Sequence, residues 1–214
     1  MMRASSKAEK FFTAEEKEKL RATIHEAESR TIGEIVAMVI DHSDHYLEVE
    51  VLGGVLLGSL LSLVLTLLFF HSSLWSYIPL SFIFFLPCWW LFMRVETFKK
   101  LFIGARRKEE AVRLRAEQAF FEKGLYKTKK NTGVLFFFSL FERKVWVLAD
   151  KGIYEKIEQK TLNGFAQTVS HGIKEDRACD ALCRAIEEAG TLLARHFPVT
   201  PGDTNELSDE VMTD

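Results

Sequence analysis

The apolar positions of this chain fall into runs of sharply different length and period. From Val51 to Phe70, and again from Leu74 to Met93, they continue for about twenty residues without a charge, the length an α-helix needs to cross the hydrocarbon core of a bilayer. His71, Ser72 and Ser73 separate the runs. The pattern predicts a transmembrane helical hairpin at about 51–70 and 74–93. A core helix of a soluble protein keeps a polar stripe, and neither run carries a charged one.

Outside these runs the pattern is that of a soluble domain. Glu34 to Asp41 (EIVAMVID) and Val134 to Leu140 (VLFFFSL) are apolar on both faces and rich in β-formers, as buried strands are. Lys144 to Asp150 (KVWVLAD) follows after Phe141-Glu142-Arg143, a connection short enough to require an antiparallel hairpin. Helical period appears elsewhere. Thr13 with Glu16 forms a capping box, and Phe12 stands where a hydrophobic staple would. That helix runs to about Ser29 with Leu20, Ile24 and Ala27 as its stripe. A second helix spans Ala105 to Lys123, with Gly124 as its C-cap. Further helices occupy about Ile153 to Val169 and Glu175 to His196. The last ends at Phe197-Pro198.

A long crossover containing a helix separates the first two strands, which makes them parallel. The resulting fold class is α/β: one small sandwich whose sequence the membrane hairpin interrupts. Residues 1–48 form the first part, 49–93 the hairpin, 94–198 the second part and 199–214 a mobile acidic tail. Both soluble parts build one core, so both must lie on the same side of the bilayer.

Charge supports that topology. Lys and Arg number 28 against 30 Asp and Glu, a balance that gives no case for nucleic-acid binding. The bases are unevenly placed. Arg94, Lys99, Lys100, Arg106, Arg107 and Lys108 follow the second run, and the linker has none, so both termini are expected in the cytoplasm. Lys99, Lys100, Arg106, Arg107 and Lys108 are also placed to meet anionic lipid headgroups. Trp75, Tyr77, Trp89 and Trp90 fit interfacial aromatic belts. The first residues lack the apolar core of a secretion signal. Gly53, Gly54 and Gly58 permit close helix packing within the hairpin or between copies in a homo-oligomer. The three cysteines, Cys88, Cys179 and Cys183, are odd in number and irregular in spacing, which reads as buried reduced thiols.

Several segments together resemble the TPM domain family. They are Phe12-Thr13 with its acidic helix, Arg30-Thr31-Ile32-Gly33-Glu34-Ile35-Val36, Ala116-Glu117-Gln118-Ala119-Phe120 and Gly124-Leu125. The likeness continues in Thr132-Gly133-Val134-Leu135, Glu142-Arg143-Lys144-Val145 and Ala149-Asp150-Lys151-Gly152-Ile153. His196-Phe197-Pro198 with Asn205-Glu206-Leu207 looks like a bacterial membrane-bound branch. The resemblance implies an α/β sandwich and a bacterial inner-membrane location. It also implies roles beside membrane complexes, or a weak acid phosphatase.

Two clusters carry candidate chemistry. Asp41, His42, Asp44 and His45 follow a strand end and are of metal-ligating type; the competing reading is an ordinary polar connection to the membrane helix. Glu34 opens the first strand and Asp150 closes the third. If those strands run antiparallel, the two carboxylates share a sheet end, where they can hold Ca²⁺ or Mg²⁺ or act as acid and base. The structural alternative for Asp150 is a helix cap. Glu142-Arg143 reads as a hairpin-tip ion pair. P-loop, dinucleotide, zincin and nucleophile-elbow motifs are all absent from the sequence.

The leading expectation is a non-catalytic, membrane-anchored interaction module that contacts lipid and another membrane protein. The alternative is a weak divalent-metal-dependent phosphatase using Glu34 and Asp150.

Overall fold

The computed structural model describes residues 6–69, 74–128, 130–200 and 206–213. The expected linker at His71–Ser73, together with Phe70 and Asn205, lies outside them. In chain order the elements are α1 (Ala14–Glu28), β1 (Glu34–Ile40), α2 (Leu47–Phe69), α3 (Leu74–Arg94), α4 (Glu96–Phe102) and α5 (Ala105–Glu122). Then come β2 (Gly133–Ser139), β3 (Lys144–Ala149), α6 (Lys151–Tyr154), α7 (Gln159–Lys174), α8 (Ala178–His196) and β4 (Met212–Thr213). The chain divides into two units: Met1–Ser43 with Glu109–Asp214, and Asp44–Lys108.

The first unit is a mixed α/β domain around a four-stranded sheet of order β3-β2-β1-β4. β1 and β2 pair in parallel, and β2 and β3 antiparallel, as the connection lengths predict. Strand residues alternate between two apolar layers. Ile35, Ala37, Val39, Val134, Phe136 and Phe138 face one layer with Leu20, Ile24 and Ala27 of α1, Leu162 and Val169 of α7, and much of α8. Val36, Met38, Ile40, Leu135 and Phe137 face the other, with Val112, Ala116, Ala119 and Phe120 of α5. Every residue of β1 and β2 is buried, which explains why these strands read as continuous rather than alternating apolar runs.

Local signals act as their chemistry dictates, with two exceptions. Thr13 Oγ1 accepts the Glu16 N–H at 3.2 Å, and the Glu16 carboxylate accepts the Thr13 N–H at 2.8 Å. Gly124 takes the left-handed backbone, at φ 77°, and ends the α5 run. Phe12 does not act as a staple. The residue a staple needs, four past the cap, is Lys17, and Phe12 instead meets Phe138 edge-on with ring centroids 6.5 Å apart. The expected helix from Ile153 is two elements, the single turn α6 and then α7.

The tail corrects a larger expectation. Residues 206–213 are not a mobile extension. Met212 and Thr213 pair in parallel with Met38 and Val39 of β1, and Val211, Leu207 and Met212 pack on the two apolar layers. Those apolar residues inside an acidic segment are the reason the tail docks.

The second unit is dominated by α2 and α3. By length and composition both can cross a membrane, and only 28% and 11% of their apolar windows are buried. Their packing reverses the usual order of sizes. The buried residues of α2 are Glu50, Gly53, Gly54, Gly58, Ser62 and Thr66, while Leu52, Leu56, Leu60 and Leu67 face outward. Gly54 lies so close to Trp89 that an added Cβ would stand 2.9 Å from its Cα. Gly58 similarly abuts the Phe85 backbone, at 3.0 Å. The glycines therefore serve the contact between α2 and α3. Tyr77 bonds Ser59 at 2.7 Å and Trp89 stacks on Phe85, so of the expected belt residues Trp75 and Trp90 are the strongly exposed pair.

Residues 94–108, assigned above to the soluble part, belong to this unit. Specific contacts hold them there. Lys99 pairs with Glu50, both side chains largely buried. Arg107 binds Asp44 at 2.6 Å and Glu48 at 2.9 Å, and its guanidinium lies over the Tyr46 ring.

Candidate functional site

The end of the sheet where β1 begins gathers carboxyl groups, the buried Glu34 and the half-buried Glu28 among them. Glu34 stands opposite Gly133 in the parallel ladder, and the Asp150 N–H donates to the Gly133 carbonyl at 2.9 Å. Glu34 and Asp150 therefore share one end of the sheet, as antiparallel β1 and β3 require. The β2 strand lies between them, so their backbones are about 10 Å apart at two strand spacings.

Their surroundings differ. Asp150 caps α6, its Oδ1 accepting the Lys151 N–H at 2.6 Å. Gly152 follows because the turn presses it against carbonyls: an added Cβ would lie 2.7 Å from both Asn131 O and Lys130 O. The D-K-G-I segment is thus built for this turn. Glu34 is buried, and its Oε1 accepts the Glu206 N–H at 3.1 Å. The neighbouring T-I-G pattern is also structural. Thr31 Oγ1 donates to the Phe197 carbonyl at 2.6 Å and accepts the Gly33 N–H at 3.1 Å.

The partners that gather around Glu34 are Glu28 and Asp209, neither singled out by the sequence. Glu28, at the end of α1, accepts the Ile35 N–H at 2.7 Å. Burial pushes its carboxyl up to about 8; the Ile35 N–H opposes the rise, and the charges of Glu34 and Asp209 add to it. At neutral pH Glu28 therefore keeps its proton and can share it with Asp209. Asp209 also meets His25 Nδ1 at 3.1 Å. The His25 side chain is 75% exposed and that of Asp209 only 12%. The docked tail thus supplies Asp209 and closes the cluster over Glu34. Chemically, the arrangement can hold a proton between carboxyl groups and fasten the tail; Glu34 itself is 6% exposed.

The Asp41–His45 residues are not drawn together. The Asp41 carboxylate accepts the Ala8 N–H at 2.6 Å and the Lys7 N–H at 3.2 Å, fixing the N-terminal segment. His42 packs against Phe141, ring centroids 5.0 Å apart. Asp44 and His45 lie in the other unit. Burial alone would raise the Asp44 carboxyl, but bonds from Arg107 and from the Tyr46 and His45 N–H groups outweigh it and hold the carboxyl below its usual range. Among the described residues no group of three or more His, Cys, Asp or Glu can hold a metal ion.

Two further expectations change. Glu142 is buried rather than paired with Arg143 at the hairpin tip. Its carboxylate accepts the Ser139 hydroxyl and, at 3.2 Å, the Ser43 N–H. The basic run also has internal work. Lys99 and Arg107 are paired as described, Lys100 approaches Glu96 at 3.7 Å, and Lys108 donates to the Lys100 carbonyl at 3.0 Å. The three cysteines are free and buried.

A family model for the TPM domain matches residues 93–192. The match begins at the end of α3 and leaves out α1 and β1, although β1 pairs with β2 in the same sheet and α1 packs in the same apolar layer. The chain is similar in fold to the NMR structure of the BA42 protein from the psychrophilic bacterium Bizionia argentinensis. The TM-score is 0.60 at 20% identity, covering 95% of this chain and 96% of that one. No curated protein matches the chain.

Proposed function

We propose, from the TPM-domain match over residues 93–192, that this chain is a membrane-anchored interaction module: a cytoplasmic TPM-like domain held by its inserted hairpin beside a partner membrane protein. The observation that carries this reading is the outward face of the hairpin. Large leucines point away from the α2–α3 contact while glycines fill it, the order expected where lipid, not water, is the surroundings. The bases between Lys99 and Lys108 favour a cytoplasmic location for the α/β unit and both termini. A bacterial inner membrane is the setting the family resemblance supplies.

The phosphatase reading rests on Glu34 and Asp150. Glu34 is buried beneath the tail and Asp150 caps a helix, so the observations favour interaction over hydrolysis. The test is proximity labelling by the full-length chain in its native membrane. The expected result is a reproducible set of integral membrane proteins, reduced when the hairpin is replaced by an unrelated membrane anchor. Phosphate-ester hydrolysis by the purified full chain, abolished by Asp150→Ala, with no labelled partner, would overturn the proposal.

A further inference from the structure

The segment between the hairpin and α5 contains a short helix with strongly divided faces. In α4, Phe98, Leu101 and Phe102 fall at i, i+3 and i+4, and Glu96, Lys99 and Lys100 occupy the opposite side. The apolar side is only partly covered: Leu101 is 79% exposed, Phe102 52% and Phe98 38%. A contiguous exposed apolar face on so short a helix needs a covering partner.

The position of α4 identifies that partner. α3 ends at Arg94, whose guanidinium lies 5.5 Å from the Trp90 ring centroid, the arrangement of a span reaching the headgroup level. Val95 takes an extended backbone and breaks the helix, and α4 starts at the next residue. With about 10 Å of length, α4 cannot leave the boundary at which α3 ends. It is also pinned from within. The Phe98 and Phe102 rings stand 5.6 and 5.3 Å from that of buried Phe92 in α3. Lys99 pairs with Glu50 in the first turn of α2.

We infer that α4 is an in-plane interfacial helix, inserting Leu101 and Phe102 into the headgroup–acyl boundary while Lys100 remains at the aqueous level. This rests on the membrane reading above. The occupant is the bilayer itself, because the face is continuous with the exposed apolar surface of a spanning helix and is bordered by bases.

The test uses the full chain in vesicles of phosphatidylcholine and phosphatidylglycerol. A spin label is attached to L101C, K100C or L56C, with the unsubstituted chain as the background control for the buried native thiols. Collision with apolar oxygen is compared with collision with a water-soluble nickel chelate. The expected oxygen-to-nickel ratio is high at 56 and 101 and inverted at 100. A ratio at 101 equal to that at 100, with 56 still in lipid, overturns the inference alone. Shielding of 101 from both reagents overturns it in favour of a protein partner. A label at 56 exposed to nickel overturns the membrane reading and the inference together.

Discussion

The two units bury their side chains in opposite radial order. In the α/β unit the large residues are inside: Phe136, Phe137, Phe138, Met38 and Leu135 are sealed between helices. In α2 of the hairpin unit the buried face is mostly small residues, which make room for α3 and its buried Phe92, and leucines cover the exterior. The chain thus uses one set of residue types under two rules. Expulsion from water organises the first unit. Close backbone approach organises the second, and under the proposed membrane reading burying a leucine there gains nothing over leaving it in lipid.

The sharpest way to break this comparison is to truncate a large residue in each unit. Phe136→Ala is expected to lower the stability of the α/β unit by about 3–5 kcal/mol, read by denaturant unfolding of the detergent-solubilised chain. Leu56→Ala, at a 61% exposed position, is expected to stay within about 0.5 kcal/mol. The converse is to enlarge a small residue. Gly54→Leu must push α2 away from Trp89 and is expected to cost about 1–3 kcal/mol. Disulfide trapping between cysteines placed at 59 and 77 reads that separation, which should suppress the cross-link.

A smaller effect comes from Glu28, where the α/β unit departs from its own rule by burying a carboxyl. Its affinity for the proton is higher folded, at about 8, than the ordinary 4.5. The folded state therefore binds more protons between these values. The stabilising contribution is complete below about 4.5 and is lost as pH rises through 8. Glu34 and Asp209 face the same group, with His25 on Asp209. Glu28→Gln keeps the acceptor for the Ile35 N–H and removes the titration. It should flatten the profile and stabilise the chain by about 1 kcal/mol or more above pH 8, measured by thermal unfolding across pH. Smallest is Thr13→Ala, which deletes one side of the capping box and should cost about 1 kcal/mol, again by thermal unfolding.

What the sequence disclosed follows from the range of each interaction. The strands, the parallel and antiparallel pairings and the helix caps depend on nearby residues and connection lengths. Thr13-Glu16, Gly124 and the β2–β3 turn were accordingly legible. The carboxylate cluster was not. It joins Glu28 to Asp209 across most of the chain, and nothing in the local spacing of either residue marks the contact. The nearest signal was Val211-Met212, an apolar pair inside an acidic tail. Glu34 stands at the start of β1, as its place ahead of the apolar run implies, but the segment that covers it is distant in sequence. Glu142 shows the same limit: its neighbour Arg143 was visible, while Ser43 and its N–H were not.

The turn between β2 and β3 has a practical consequence. Glu142 holds the N–H of Ser43, and Lys144 binds Glu109 at 3.0 Å. These are the residues at which the α/β unit is left and re-entered by the chain. A single turn therefore clasps both ends of the break, and the fold marks its own splice site. A short polar bridge from Ser43 to Glu109 should rejoin the domain as a water-soluble protein without the apolar hairpin.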